Sequence, residues 1–170
     1  TPEMEVVEHP WPEEPAALLR ELTGGSSSGT DFASEFGPDL SAEISPLRYV
    51  LDGDAIEHYR HLDADTAQAV SEAAGSLSPD TGELDAAAEL SAACIRRGMF
   101  APVLFAASEE RLVRHRHPVP HGGPLGKQAM LVVCAERGGL FVSLTRMIYF
   151  QETEPQTVRR QEACGEVLRR

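Results

Sequence analysis

His117-Pro-Val-Pro-His-Gly-Gly-Pro-Leu-Gly-Lys-Gln-Ala-Met-Leu-Val-Val-Cys-Ala-Glu-Arg-Gly-Gly-Leu-Phe-Val-Ser-Leu-Thr-Arg146 contains the two runs that decide the fold. Ala129 to Ala135 and Leu140 to Phe150 are rich in β-branched, aliphatic and aromatic residues. The Glu136-Arg-Gly-Gly139 turn between them predicts an antiparallel hairpin. Glu136 is the one acidic residue from His117 to Arg146, and it lies in the turn. A site for two metal ions needs several oxygen ligands converging on the ions. The strands of this segment supply no carboxylate.

Upstream, Pro102 to Ala107 reads as a buried strand, and 108–128 as a long loop rich in Arg, His, Pro and Gly. Leu51 to Ala74 is expected to be a helix, capped by Asp52 or Asp54. Its apolar face is Ile56, Tyr59, Leu62, Thr66, Ala67, Val70 and Ala73, and Gly75 to Pro79 ends it. Thr81 is expected to cap a second helix with Leu84, Ala87, Ala88, Ser91 and Ile95 on one side, stopped by Gly98. The alanine-rich faces of both suit close packing on a sheet. Val158 to Arg170 predicts a terminal helix with Ala163, Val167 and Leu168 as its apolar face.

Near the start, Met4 to Glu8 alternates weakly as a short strand, stopped by Pro10-Trp-Pro12. Pro15 to Leu22 predicts a short helix ending at Gly24-Gly25. Gly24 to Gly29 is a flexible turn, and 30–48 is a Pro-broken stretch of strand fragment or helical turns. The order of elements predicts an α+β fold, a curved antiparallel sheet covered by helices on one face.

The chain has 170 residues, enough for one core or pieces of two small domains, and a formal net charge of −12. That charge argues against nucleic acid, because phosphate binding requires clustered Lys and Arg. The one basic cluster, Arg111 to His121, has no neighbouring aromatics for base stacking. No apolar run approaches the ~20 residues that cross a bilayer, and no signal peptide is visible. Cys94, Cys134 and Cys164 lack metal-ligand spacing and fall in apolar patterns, so they are expected to be reduced core residues of a cytoplasmic protein. A start at Thr1 and an end at Leu168-Arg-Arg170 read as a piece of a longer protein.

Four stretches together resemble the pita-bread family of aminopeptidase P, prolidase, methionine aminopeptidase and creatinase. Leu47-Arg-Tyr-Val-Leu51 with Ala55-Ile-Glu-His-Tyr-Arg60 is similar to the family's entry helix. Leu77-Ser-Pro-Asp-Thr-Gly-Glu-Leu84 is similar to the start of its second helix, with Gly82 intruding. Arg114-His-Arg-His-Pro-Val-Pro120 resembles its His-x-x-Pro loop, and Gly139 to Arg146 its strand ending in Thr-Arg. The resemblance implies the first half of a pita-bread domain over 47–170, preceded over 1–46 by the tail of a small N-terminal domain and a linker. It implies a hydrolase relative acting on a peptide or on the C–N bond of a small, amidino-type substrate, with a homodimer as a possible state. The family's two hairpin Asp ligands fall, by register, on Ser143 and on or near Val133-Cys134. Neither position holds a carboxylate, so no metal or other cofactor is expected.

The resemblance points to His117 as the catalytic residue, since a His titrates near neutrality and moves protons without a metal. The competing reading is a loop His packed on Pro118. Arg146 and His121 are the substrate-binding candidates, Arg146 as a bidentate anchor for a carboxylate or, equally, as a partner of a buried acid. His115, His117 and His121 form a His-x-His-x3-His set with some metal-binding character but no acidic support. Three functions compete: a metal-free hydrolase using His117, a peptidase-derived binding or scaffold protein that has lost the chemistry, and a metallopeptidase whose site assembles in an unusual way, which the absent Asp pair disfavours.

Overall fold

The computed structural model describes residues 6–24, 26 and 28–169. The chain divides into two compact units, Thr1–Asp52 and Gly53–Arg170. In the first, helix α1 (Ala16–Thr23) is closed by Gly24 at φ 56°, whose N–H reaches the carbonyls of Arg20 and Glu21. Only glycine adopts that left-handed conformation without penalty. Helix α2 (Ser41–Ile44) runs into a 3-10 turn over Ser45–Arg48, and a parallel bridge links Thr30 to Asp39. Of the strand expected over Met4 to Glu8, residues 4 and 5 lie outside the described residues and 6–8 form no strand. The turn expected at 24–29 is likewise outside them at positions 25 and 27.

The second unit opens with helix α3 (Gly53–Ser76), which buries Leu62, Thr66, Val70 and Ala73 of the expected face, together with Ala69. Thr66 sits in the core because its hydroxyl donates to the Leu62 carbonyl at 2.7 Å. The expected stop at Gly75 is corrected: Gly75 and Ser76 remain helical, and the Ser76 hydroxyl bonds back to the Ala73 carbonyl at 2.8 Å.

Helix α4 (Glu83–Ile95) differs from expectation in both start and phase. Gly82 occupies the cap, while the Thr81 hydroxyl accepts from the Ser78 N–H in the preceding turn. The buried stripe is Glu83, Ala86, Leu90, Ala93 and Cys94, whereas Leu84 and Ile95 face solvent. Both stripes have helical spacing. The one that wins contains the carboxylate that finds donors in the interior, as described below.

Strands β1 (Phe100–Ser108), β2 (Gln128–Arg137) and β3 (Leu140–Tyr149) form an antiparallel sheet in that order. Gly138 and Gly139, at φ 63° and 80°, make the two-residue turn of the hairpin, the conformation that matches strand twist and that β-branched residues resist. Pro102 lies where the β1 register slips between Phe100 and Val103, on an edge strand where a missing N–H is tolerated. A four-residue helix, α5 (Glu109–Leu112), starts the long loop after β1.

Along β2, Ala129, Leu131, Val133 and Ala135 are buried, and they share one core with α3 and α4. The intervening Met130, Val132 and Cys134 are half-buried on the other face. The α+β expectation of an antiparallel sheet covered by helices on one face therefore holds. Helix α6 (Pro155–Leu168) starts earlier than expected, with Pro155 in its first turn, and buries none of its residues. Val167 and Leu168 are exposed, because Arg159, Arg160, Gln161 and Glu162 leave too narrow an apolar stripe to pack. The expectation of three core cysteines is corrected with it. Cys94 is buried and burial pushes its thiol up, Arg97 opposing only in part, but Cys134 is half-buried on the uncovered face and Cys164 is exposed on α6. No helix among the described residues is long and apolar enough to cross a membrane.

Candidate functional site

The uncovered face of the sheet is built by strand alternation. Cross-strand register sets Val103 beside Cys134 and Cys134 beside Ser143, and likewise Phe105 beside Val132 and Val132 beside Thr145. Residues opposite one another in an antiparallel pair share a face, so these six side chains project away from α3 and α4. The loop after α5 comes down over one side, anchored by fully buried Pro118. Its neighbour His117 lies against Phe105, with ring centroids 5.6 Å apart and planes 34° from parallel. Arg116 and His117 close a concavity of about 420 Å³ whose floor includes Phe105, Met130, Val132, Cys134, Ser143 and Thr145. Among the described residues no Asp or Glu lines it. Among the described residues no acid pairs with Arg116, although Arg20, Arg48, Arg60, Arg96, Arg97, Arg111 and Arg137 each have one.

The structure separates the three candidate residues. His121 borders a different concavity of about 780 Å³, together with Glu83, Ser108, Arg111 and Lys127. It contributes there through its main chain, donating its N–H to the Glu83 carboxylate at 2.9 Å. Arg146 pairs with Leu131, a core residue, so alternation places it on the helix-covered face with Leu144 and Ile148, exposed at the sheet edge. His117 is the one candidate of the three at the concavity over the uncovered face.

Glu83 is the residue that sequence reasoning missed. Its side chain is 1% exposed. One carboxylate oxygen accepts from the Ser108 N–H at 2.8 Å, and the other accepts from His121 N–H and from Arg111 Nη1. Arg111 also donates to the Val119 carbonyl at 2.8 Å. The carboxylate thus ties the start of α4 to the end of β1 and to the loop that carries His117. Burial pushes its pKa up, but the bonds donated by Ser108, His121 and Arg111 outweigh that and hold it below the usual carboxylate range. The signal in the sequence was an acid at the first position of a Gly-capped helix, in phase with Ala86, Leu90 and Ala93.

The resemblance would place metal-binding carboxylates at Ser143 and at or near Val133-Cys134. Val133 points into the core, and Cys134 faces Ser143 directly across the hairpin. A thiol and a hydroxyl over an apolar floor do not fit a pair of hard cations that require carboxylate oxygens. Glu136, farther along β2, is turned to the hairpin, where it accepts the Gly139 N–H at 2.7 Å. Among the described residues no group of three or more His, Cys, Asp or Glu side chains is arranged to hold a metal ion, the three loop histidines included.

No family model matches the chain, and no curated protein matches it. Among solved structures, the X-Pro aminopeptidase from Thermotoga maritima MSB8 aligns with a TM-score of 0.58 at 16% sequence identity. The alignment covers 84% of this chain and 40% of that one, so this chain spans well under half the length of the aminopeptidase chain. At that identity the likeness speaks to the fold: the α+β arrangement of this chain is the one seen in part of a pita-bread X-Pro aminopeptidase.

Proposed function

We propose that the uncovered face of the sheet binds a short peptide without cleaving it through metal ions. The observation that carries this reading is the lining of the concavity: apolar side chains and two hydroxyls, with Arg116 and His117 at the rim and, among the described residues, no carboxylate. An apolar floor takes a side chain, Ser143 and Thr145 take main-chain polar groups, and an unpaired guanidinium takes an anion. In a chain of net charge −12, an exposed cation at a pocket favours the C-terminal carboxylate of a peptide. A cationic amidino-type ligand would meet no opposing charge there. The fold shared with an X-Pro aminopeptidase supports a peptide as the ligand class, and the missing carboxylates support binding over metal-assisted hydrolysis.

A second reading, metal-free hydrolysis with His117 as acid and base, is favoured by one observation: the His117 ring shares the concavity with Cys134 and Ser143. A bell-shaped pH profile of turnover that His117→Gln abolishes would establish it.

The test of the binding reading is calorimetric titration with a short apolar peptide as free acid and as C-terminal amide. A charge-assisted hydrogen bond contributes about 1.5–3 kcal/mol, so the amide is expected to bind roughly tenfold or more weakly, and Arg116→Ala to weaken the acid to the same degree. Equal binding of acid and amide, or no binding of either, contradicts the proposal.

A further inference from the structure

We infer that Arg111 is a positioning residue, a clasp that closes the loop over 112–118 and so sets Arg116 and His117 above the sheet. Its main chain and its side chain hold the two ends of that loop. The Arg111 carbonyl accepts from the N–H groups of Arg114 and His115 at 3.2 and 2.9 Å. At the other end, Nη2 of its guanidinium donates to the Val119 carbonyl at 2.8 Å, while Nη1 donates to Glu83. Arg116, His117 and Pro118 are the residues between the two points of attachment.

The far end is tightly set. Val119 returns its own N–H to the His117 carbonyl at 3.0 Å, a γ-turn about Pro118. Pro118 is fully buried, and its ring fixes its φ. His117 is therefore one turn away from the carbonyl that Arg111 grips, and its ring rests against Phe105. The guanidinium has a fixed anchor, because the Glu83 carboxylate is buried and also accepts the Ser108 and His121 amides. This geometry needs an arginine. Two nitrogens of one planar fork serve two acceptors on different elements, whereas a lysine brings a single nitrogen on a flexible stem. Arg111 itself borders the 780 Å³ concavity and not the one beneath His117. It acts there through Arg116 and His117, so its effect on binding rests on the peptide reading, whereas its effect on the loop does not.

The experiment reads the His117 ring by proton NMR in the full chain, without ligand. The ring current of Phe105 displaces the His117 ring-proton resonances, which are assigned by their loss in His117→Gln. Phe105→Leu is expected to return them to the positions of an unstacked histidine. Arg111→Lys keeps a counter-charge for Glu83 but loses the fork, and is expected to move them toward the Phe105→Leu positions. Glu83→Gln, which removes the anchor of the guanidinium, is expected to do the same, and circular dichroism checks that both variants are folded. Arg137→Lys is the control. Arg137 bridges Asp65 at 2.7 Å and the Arg97 carbonyl at 3.2 Å, at the far end of β2 from the loop, so His117 is expected to stay in place. Unmoved resonances in both folded variants overturn the inference, and so does an equal displacement in Arg137→Lys. A second arm titrates the free-acid peptide into Arg111→Lys. A clasped state reduced to about a tenth of the population raises the apparent Kd about tenfold, and an unchanged Kd overturns the positioning role. Absence of binding by the wild type contradicts the peptide reading alone, because the ligand-free resonances still decide the clasp.

Discussion

Glu83→Ala is expected to destabilise the unit Gly53–Arg170 by about 3–5 kcal/mol, the usual consequence of removing one partner of a buried ion pair. The substitution leaves the Arg111 guanidinium, whose side chain is 27% exposed, without its counter-ion. It also strips the acceptor from the Ser108 and His121 amides. Urea unfolding followed by far-ultraviolet circular dichroism reads the loss, and a change below about 1 kcal/mol, the size of an ordinary surface effect, would remove Glu83 from its role as the strut of the loop. The same carboxylate sets an acid limit. Its folded pKa lies below its unfolded one, which is about 4.3. Its contribution is therefore complete above that value and is lost as pH falls through the lower, folded pKa. Glu83→Gln is expected to flatten that part of the stability–pH curve.

Leu90→Ala is expected to cost about 2–5 kcal/mol, the transfer and cavity terms of a fully buried leucine, since Leu90 is 0% exposed. Leu84→Ala, on the same helix but 59% exposed, is expected to stay within about 0.5 kcal/mol. The pair measures the rotational phase of α4 directly. Equal losses would mean that the helix is turned so that both leucines share the burial.

Why that phase was hidden in the sequence is instructive. Helix α4 is so rich in alanine that two stripes, one through Leu84 and Ile95 and one through Ala86 and Leu90, have the same helical period. The choice between them is made by Glu83, which turns inward because Arg111 and two amides distant in sequence receive it. No local pattern contains that information. The hairpin was legible because its information is local: alternation on β2 and two glycines at the turn. The stripe of α3 was legible over Leu62, Thr66, Val70 and Ala73, whereas Ile56 of the expected face is exposed and Tyr59 and Ala67 are half-buried.

The site was legible in part. His117 came from the resemblance, and the structure sets its ring against Phe105. Arg146, the carboxylate-anchor candidate, has the opposite parity to Ser143 and Thr145, which places it on the other face of the strand. His121 was singled out for its imidazole, whereas its hydrogen bond to Glu83 comes from its main-chain N–H, which any residue but proline provides. The pairing of Cys134 with Ser143 required the register, and that is fixed only once the Gly138-Gly139 turn is known to hold two residues.

The proposed role is binding of a short peptide on the uncovered face without metal-assisted cleavage, since among the described residues no Asp or Glu lines its concavity. Its most direct test is to incubate the full chain with Xaa-Pro peptides in the presence of Mn²⁺, Co²⁺ or Zn²⁺ and to measure free amino-terminal residue against heat-denatured protein. The expected result is no release above the denatured control with any of the three ions. Release that rises with added metal and disappears on chelation would contradict the claim.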